Sequence, residues 1–325
     1  MKASRLVSVF LSLVVTGGAV FAFSERQQLY DWVRLQNYQP PTQISQLAAD
    51  DTMTAAAQHL FYINHPNLTA DKAFFNKQCG NKEQTIVLGC YHGNQQGIYL
   101  YEVSDARLNG VEQVTAAHEM LHAAYDRLST QDRKNIDAML QDYYAHGLHD
   151  KRIQDSIDLY KKIEPNDVVN EMHSVFGTEV ADLPAPLENY YKRYFGDRHK
   201  IVQYATDYQG TFTSLQNQVA TDDAQLAKWK PQIDTLTSEI QQKQRALATQ
   251  KAQLDAQRAS GNIDAYNAGV TPYNAAVNTY NALVESLKNL IAQYNALVDE
   301  RNAIAIQENQ LAQAINSQAS PVPAQ

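Results

Sequence analysis

The spacing of hydrophobic positions takes three forms along the chain. Through residues 25–199, apolar side chains recur at the three- and four-residue spacing of amphipathic helices. Two short runs in this part, Thr85–Tyr91 and Gly97–Val103, are instead rich in β-branched and aromatic residues and predict a β-hairpin. From about residue 200 the pattern is a heptad repeat, broken at 259–262, which predicts two long helices folded back as an antiparallel coiled-coil hairpin.

The N-terminal residues have the pattern of an export signal. Lys2 and Arg5 precede the uncharged run Leu6–Phe23, and this order places the N-terminus in the cytoplasm and the rest of the chain outside. The length of the run favours a retained single-pass anchor in the cell membrane, with the C-terminal part extracytoplasmic. The alternative is a cleaved signal peptide, which would give a secreted protein.

A metal-binding spacing lies inside one of the helical patterns, at residues 115–125. This stretch contains His118-Glu119-x-x-His122, and residues four apart lie on the same face of a helix. The two imidazoles can therefore bind one zinc ion, and Glu119 beside them can take a proton from a metal-bound water. The alternative interpretation is a helix with two surface histidines and an incidental glutamate.

This motif resembles that of the zinc metallopeptidases of the zincin group, whose pattern the uncharged pair Met120-Leu121 also fits. Metzincins carry Gly and a third His at positions that are Tyr125 and Leu128 here. The chain is therefore more similar to the gluzincins, in which the third zinc ligand is a glutamate on a later helix. The resemblance implies a helical domain with a small sheet, one Zn²⁺ ion and hydrolysis of peptide bonds.

A candidate for that glutamate lies in the predicted helix near residues 166–179. The segment Asn170-Glu171-x-x-Ser174 looks like the glutamate helix of gluzincins, so the resemblance implies Glu171 as the third ligand. Glu179 and His173 remain alternatives. The family usually has an Asp four residues after the glutamate, which supports a ligand histidine. Here that position is Val175, so another group must orient the histidines.

Further expectations concern substrate recognition and the cysteines. In zincins an edge strand along the cleft pairs with extended substrate, and Gly97–Val103 is the candidate here. Cys79 and Cys90 are the only cysteines, and in an exported protein they are expected to form a disulfide; a free buried thiol is the alternative. The net charge is −8 and basic residues form no run, which argues against a nucleic-acid partner.

The sequence thus predicts a mainly α protein with a small antiparallel β-sheet in a zincin-like α+β metal domain, followed by the helical hairpin. The predicted function is that of a membrane-anchored zinc metalloendopeptidase acting on protein or peptide substrates. One alternative is an envelope adaptor that binds a protein partner through the hairpin, and another is a zinc amidase acting on the cell wall. The expected boundaries are 1–24 for the signal, 25–199 for the metal domain, 200–316 for the hairpin and 317–325 for a polar tail.

Overall fold

A computed structural model describes residues 25–80 and 87–318 of the chain. These residues form two units. The first is built from the described parts of residues 1–210 and 311–325, and the second from residues 211–310. In sequence, the second unit is therefore inserted between two parts of the first.

Helices make up most of the first unit, as predicted, and side-chain caps mark several of their first turns. Thr54, Asp71 and Ser129 each accept a backbone N–H bond at the start of a helix. The helices are α1 (Arg26–Leu35), α2 (Thr42–Asp50), α3 (Ala55–Ile63), α4 (Lys72–Cys79), α5 (Val111–Asp126), α6 (Thr130–His146), α7 (Lys151–Ile163), α8 (Val168–Glu179) and α9 (Ala185–Tyr191), followed by α10 (Arg198–Ala259) and α11 (Ile263–Ile315), which continue into the second unit.

The sheet is mixed, and this corrects the prediction of an antiparallel sheet. The strands β2 (Gly89–His92) and β3 (Gly97–Tyr101) form the predicted antiparallel hairpin, but β1 (Asn67–Thr69) pairs parallel to β3. The strand order is β1-β3-β2, so β3 is central and β2 lies at an edge. The segment Gly97–Val103 is therefore not the edge strand that we predicted. A strand of three residues is too short to show a period of two in the sequence, which is why β1 was missed.

Helix α5 carries the sequence His118-Glu119-x-x-His122 and is buried along most of its length. Its apolar residues belong to the main hydrophobic core, together with residues of α8. The two helices approach closely because α8 has a glycine at the contact: a Cβ atom on Gly177 would lie only 2.4 Å from Cδ1 of Leu121. This packing brings Glu171, in the first turn of α8, to the histidine face of α5.

Two connections hold the segment before the hairpin. Cys79 at the end of α4 forms a disulfide with Cys90 in β2. In addition, Ser317, after the end of α11, donates a hydrogen bond to the carbonyl oxygen of Val87 and accepts one from Asn76 of α4 through its own carbonyl oxygen. The last described residues are thus bonded to the part of the first unit that leads into β2.

The second unit consists of the inner parts of α10 and α11, and the two long helices predicted by the heptads are confirmed. They run antiparallel, because Gln218, early in α10, donates to Glu300, late in α11. Leu254, late in α10, instead lies beside Gly269, early in α11: a Cβ atom on Gly269 would be 2.6 Å from Cδ2 of Leu254. The turn between them contains Gly261, whose φ of +75° is a conformation that favours glycine. The seam positions of both helices are mostly half-buried along this pair.

One prediction from the N-terminal sequence is overturned. Across residues 25–80 and 87–318, the structure contains no helix with the length and apolar character needed to cross a membrane. The predicted single-pass location in the cell membrane is therefore wrong by this finding, and we do not retain it. The run Leu6–Phe23, on which that prediction depended, lies outside the described residues.

Candidate metal centre

The potential ligand groups of three residues meet between α5 and α8. Nε2 of His122 lies 3.4 Å from Oε1 of Glu171, and Nε2 of His118 lies 3.6 Å from Oε2 of the same carboxylate. Two ligands that each sit about 2.0–2.1 Å from a tetrahedral zinc ion are about 3.3–3.4 Å apart. Each imidazole therefore lies from one carboxylate oxygen at nearly the separation of two ligands on one zinc ion, and one donor atom of each of the three residues lies within 4.8 Å of the others.

Glu171 is a buried carboxylate with incomplete hydrogen bonding. Its side chain is buried, and Oε2 accepts no hydrogen bond from the described residues. Burial alone would raise the pKa of this carboxyl, but the neighbouring His122 and His118 and the hydroxyl of Tyr160 outweigh it and lower the pKa. A buried, ionised carboxylate with a free lone pair is costly unless a cation binds it. The residues present thus fit a divalent cation of the zinc type.

Asn170 supplies the orienting group that the sequence left open. Its Oδ1 atom lies 2.9 Å from Nδ1 of His122, and its Nδ2 donates to both carboxylate oxygens of Asp167 at 3.2 Å. Because the amide nitrogen is engaged by Asp167, the amide oxygen faces the ring and accepts from Nδ1–H. In the neutral ring this tautomer leaves Nε2 of His122 without a proton and directed at Glu171, which is the form that binds a metal.

Glu119 lies on the same helix as the two histidines and lines the cavity next to them. It is 6% exposed, so its carboxylate is largely shielded from bulk water. The edge strand passes very close to it: a Cβ atom on Gly89 would lie 2.8 Å from both Cγ and Oε1 of Glu119. The absence of a side chain at position 89 therefore leaves the space that Glu119 occupies.

A cleft of about 540 Å³ opens beside these groups. Residues 87–91, which include part of β2, line it together with residues of α5, α7 and α8. No lysine or arginine occurs among the described residues that line the cleft. Besides Glu119 and Glu171, its carboxylates are Asp126, Glu164, Asp167 and Glu179.

The two alternative third ligands have other partners. Glu179 binds Arg152 at 2.6 Å and accepts from Gln209 at 2.8 Å. His173 is fully buried, contacts the hydroxyl of Tyr190 at 2.8 Å, and burial lowers its pKa to about 3. Neither residue joins the donor cluster of His118, His122 and Glu171 among the described residues.

Sequence reasoning missed two residues of the site. Asn170 directly precedes Glu171, so its place at the start of the same helix was visible in the sequence, but its contact with His122 was not. Tyr160 comes from α7, and its contribution to the pKa of Glu171 has no signal in the sequence pattern.

Donor atoms of Glu164 and Asp167 also cluster with Glu171, as a second group of acidic side chains.

No protein-family model, curated protein or solved structure matches this chain. The resemblance to zincins therefore rests on the residues of the two motifs. The structure adds to it the distances between His118, His122 and Glu171.

Proposed function

We propose that this protein is a zinc-dependent endopeptidase with a zincin-like metal domain. The observation that carries the proposal is that Nε2 of His122 and Nε2 of His118 lie 3.4 and 3.6 Å from the two carboxylate oxygens of Glu171, beside a cleft that Glu119 also lines. His118, His122 and Glu171 would hold one Zn²⁺ ion. Three protein ligands leave a fourth position open, which distinguishes a catalytic zinc site from a structural one.

The remaining chemistry belongs to the side chains around that position. Zinc, when bound, supplies a Lewis acid that polarises a carbonyl group and makes water more acidic. Glu119 accepts the proton of the attacking water and transfers it to the leaving amine as the peptide bond breaks. Asn170 holds His122 in the tautomer that leaves Nε2 free to bind. The partial burial of the cleft strengthens these electrostatic interactions.

The substrate would lie along β2 as an extended segment. This strand is at one edge of the sheet, and Gly89, Cys90 and Tyr91 line the cleft. Strand addition at such an edge uses backbone hydrogen bonds and accepts many sequences. Selectivity would come from charge: Asp126, Glu164 and Asp167 line the cleft, where no described residue is basic. We therefore propose peptides with Lys or Arg near the cleaved bond as the preferred substrates.

Metal analysis combined with a cleavage assay tests the proposal. Purified protein should contain one zinc ion per chain and cleave a fluorogenic peptide that carries lysine beside the scissile bond. Glu119→Gln should keep zinc and lose cleavage, whereas His118→Ala should lose both. His146→Ala is a matched control, because His146 is exposed and contacts Asp142. Full zinc content and full activity in His118→Ala would refute the proposal.

The same variants separate the two alternatives. An adaptor that acts through the hairpin would keep its biological effect in Glu119→Gln. A cell-wall amidase would release cell-wall peptides but leave the fluorogenic peptide intact, and it would lose that activity in Glu119→Gln.

A further inference from the structure

A buried carboxylate interrupts the apolar seam of the second unit. Asp222 follows Val219 by three residues and precedes Leu226 by four, so it occupies a heptad position that is normally apolar. Its side chain is 7% exposed. An ionised carboxylate at such a position is costly unless a cation or several donors satisfy it.

The described residues leave part of this carboxylate unsatisfied. Oδ2 of Asp222 is buried and has no hydrogen-bond partner among them. The charge of Arg301 also acts on Asp222, but the guanidinium group makes its hydrogen bonds to the neighbouring Asp223. Asp222 therefore retains acceptor capacity that a ligand could use.

Asp222 also lines a cavity whose other walls suit a cation on an apolar stem. The cavity measures about 680 Å³, within the size range of small-molecule sites. Trp229 offers an indole ring, the best aromatic partner for a cation, and Leu297 of α11 offers apolar surface. Gln225 adds an amide. Lys228 also lines the cavity, and its side chain is exposed to solvent.

We propose that this cavity binds an organic cation, an ammonium or guanidinium group on an alkyl stem. The carboxylate of Asp222 pairs with the charge, the ring of Trp229 lies against the cation, and the stem contacts Leu297. A lysine or arginine side chain of a protein partner has this chemistry, and so does a free polyamine. The site is separate from the metal centre and does not depend on its activity.

Tryptophan fluorescence provides a direct test. The chain has two tryptophans, so Trp32→Phe, a change at an exposed position of α1, leaves Trp229 as the single reporter. The full-length protein is titrated with n-butylammonium chloride and with n-butylguanidinium chloride. We expect a saturable change in emission with both cations, and none with sodium chloride or n-butanol. A response that is no larger than that of sodium chloride would overturn the proposal.

A pair of adjacent acids gives the matched control. Asp222→Asn should weaken binding of n-butylammonium by at least about tenfold, because the buried charge partner is lost. Asp223→Asn should keep the parent affinity, because Asp223 is exposed and pairs with Arg301. Equal affinity in the two variants would remove Asp222 from the site and refute the proposal.

A second variant keeps the test valid if Asp222→Asn does not fold, which circular dichroism would reveal. Leu297→Lys places a tethered ammonium group in the cavity and should abolish the response to n-butylammonium, whereas parent-like binding would again contradict the proposal. Spermidine and the peptide acetyl-Gly-Lys-Gly-amide distinguish the two sources of the cation. The tighter ligand of the two indicates whether a free polyamine or a protein side chain is the natural occupant.

Discussion

The glycine that faces Glu119 offers a sharp test of the catalytic proposal. In Gly89→Ala, the new Cβ atom would lie 2.5 Å from Cγ2 of Thr115 and 2.8 Å from Cγ and Oε1 of Glu119. Ordinary contacts between such atoms begin at about 3.4 Å, so the carboxylate of Glu119 and strand β2 must move apart by about 0.6 Å. The three nearest atoms to the new methyl group belong to Thr115 and Glu119 and not to the three proposed zinc ligands.

We expect this change to separate catalysis from metal binding. Displacing a catalytic group by a fraction of an ångström to 1 Å lowers the rate by about tenfold to a hundredfold. The extra methyl group should also lower the free energy of unfolding by about 1–3 kcal/mol. Zinc content should stay at one ion per chain. The measurements are kcat for a fluorogenic peptide, zinc analysis and thermal unfolding of the same preparation.

Gly93→Ala is the matched control for this experiment. Gly93 also lines the cleft, but a Cβ atom there would meet Oδ2 of Asp126 at 3.5 Å, an ordinary contact. Its kcat should stay close to that of the parent. If Gly89→Ala kept the parent kcat, Glu119 would not be the proton acceptor; if it lost zinc, the close contact would act on the metal site instead.

Three further predictions address orientation, packing and protonation. Asn170→Ala should weaken zinc affinity by about tenfold to a hundredfold, because His122 loses the acceptor at Nδ1, and Asn170→Asp should retain more of the zinc affinity. Competition with a chelator measures both variants, and unchanged affinity in the alanine variant would exclude the orienting role. Gly177→Ala should lower the free energy of unfolding by about 1–3 kcal/mol, since the new methyl group overlaps Leu121. Chemical denaturation measures this change, and parent-like stability would contradict the close packing of α5 and α8. Burial raises the pKa of Asp51 well above its usual range, and the neighbouring Asp50 adds to this rise. The folded chain therefore holds a proton on Asp51 that the unfolded chain releases above about pH 4. Stability then falls as the pH rises from about 4 to the raised pKa of the folded state. Asp51→Asn should therefore raise the Tm near neutral pH and give no gain at about pH 4, and an equal gain at both pH values would count against a raised pKa.

The parts of the site that the sequence made visible are those set by local geometry. His118, Glu119 and His122 share one helix, so their relative positions follow from the helical repeat alone. The helix around Glu171 was also predicted from its apolar period and from Pro165 before it, but Gly177, which we expected to end the helix, lies inside α8. The distance between the two helices, however, depends on packing across the core, and only the structure gives it.

The features that the sequence did not reveal depend on contacts between distant segments. The strand β1 is three residues long and joins the sheet by pairing with β3, with Asn67 opposite Tyr99. That pairing moves β3 to the centre and leaves β2 at an edge. Likewise, the bond between Asn170 and His122 and the bond between Ser317 and Val87 join residues far apart in the chain. No periodicity in a single segment can predict such pairs.

The discontinuity of the first unit has a consequence for biosynthesis. A ribosome completes residues 211–310 before it makes Leu311 and Ser317, which belong to the first unit and are buried. Val87, where the wall of the cleft begins, therefore gains its bond from Ser317 only after the whole second unit has been synthesised. Growing chains usually fold from the N-terminus onward, so a nascent or prematurely terminated chain would present a cleft whose rim is not yet fastened.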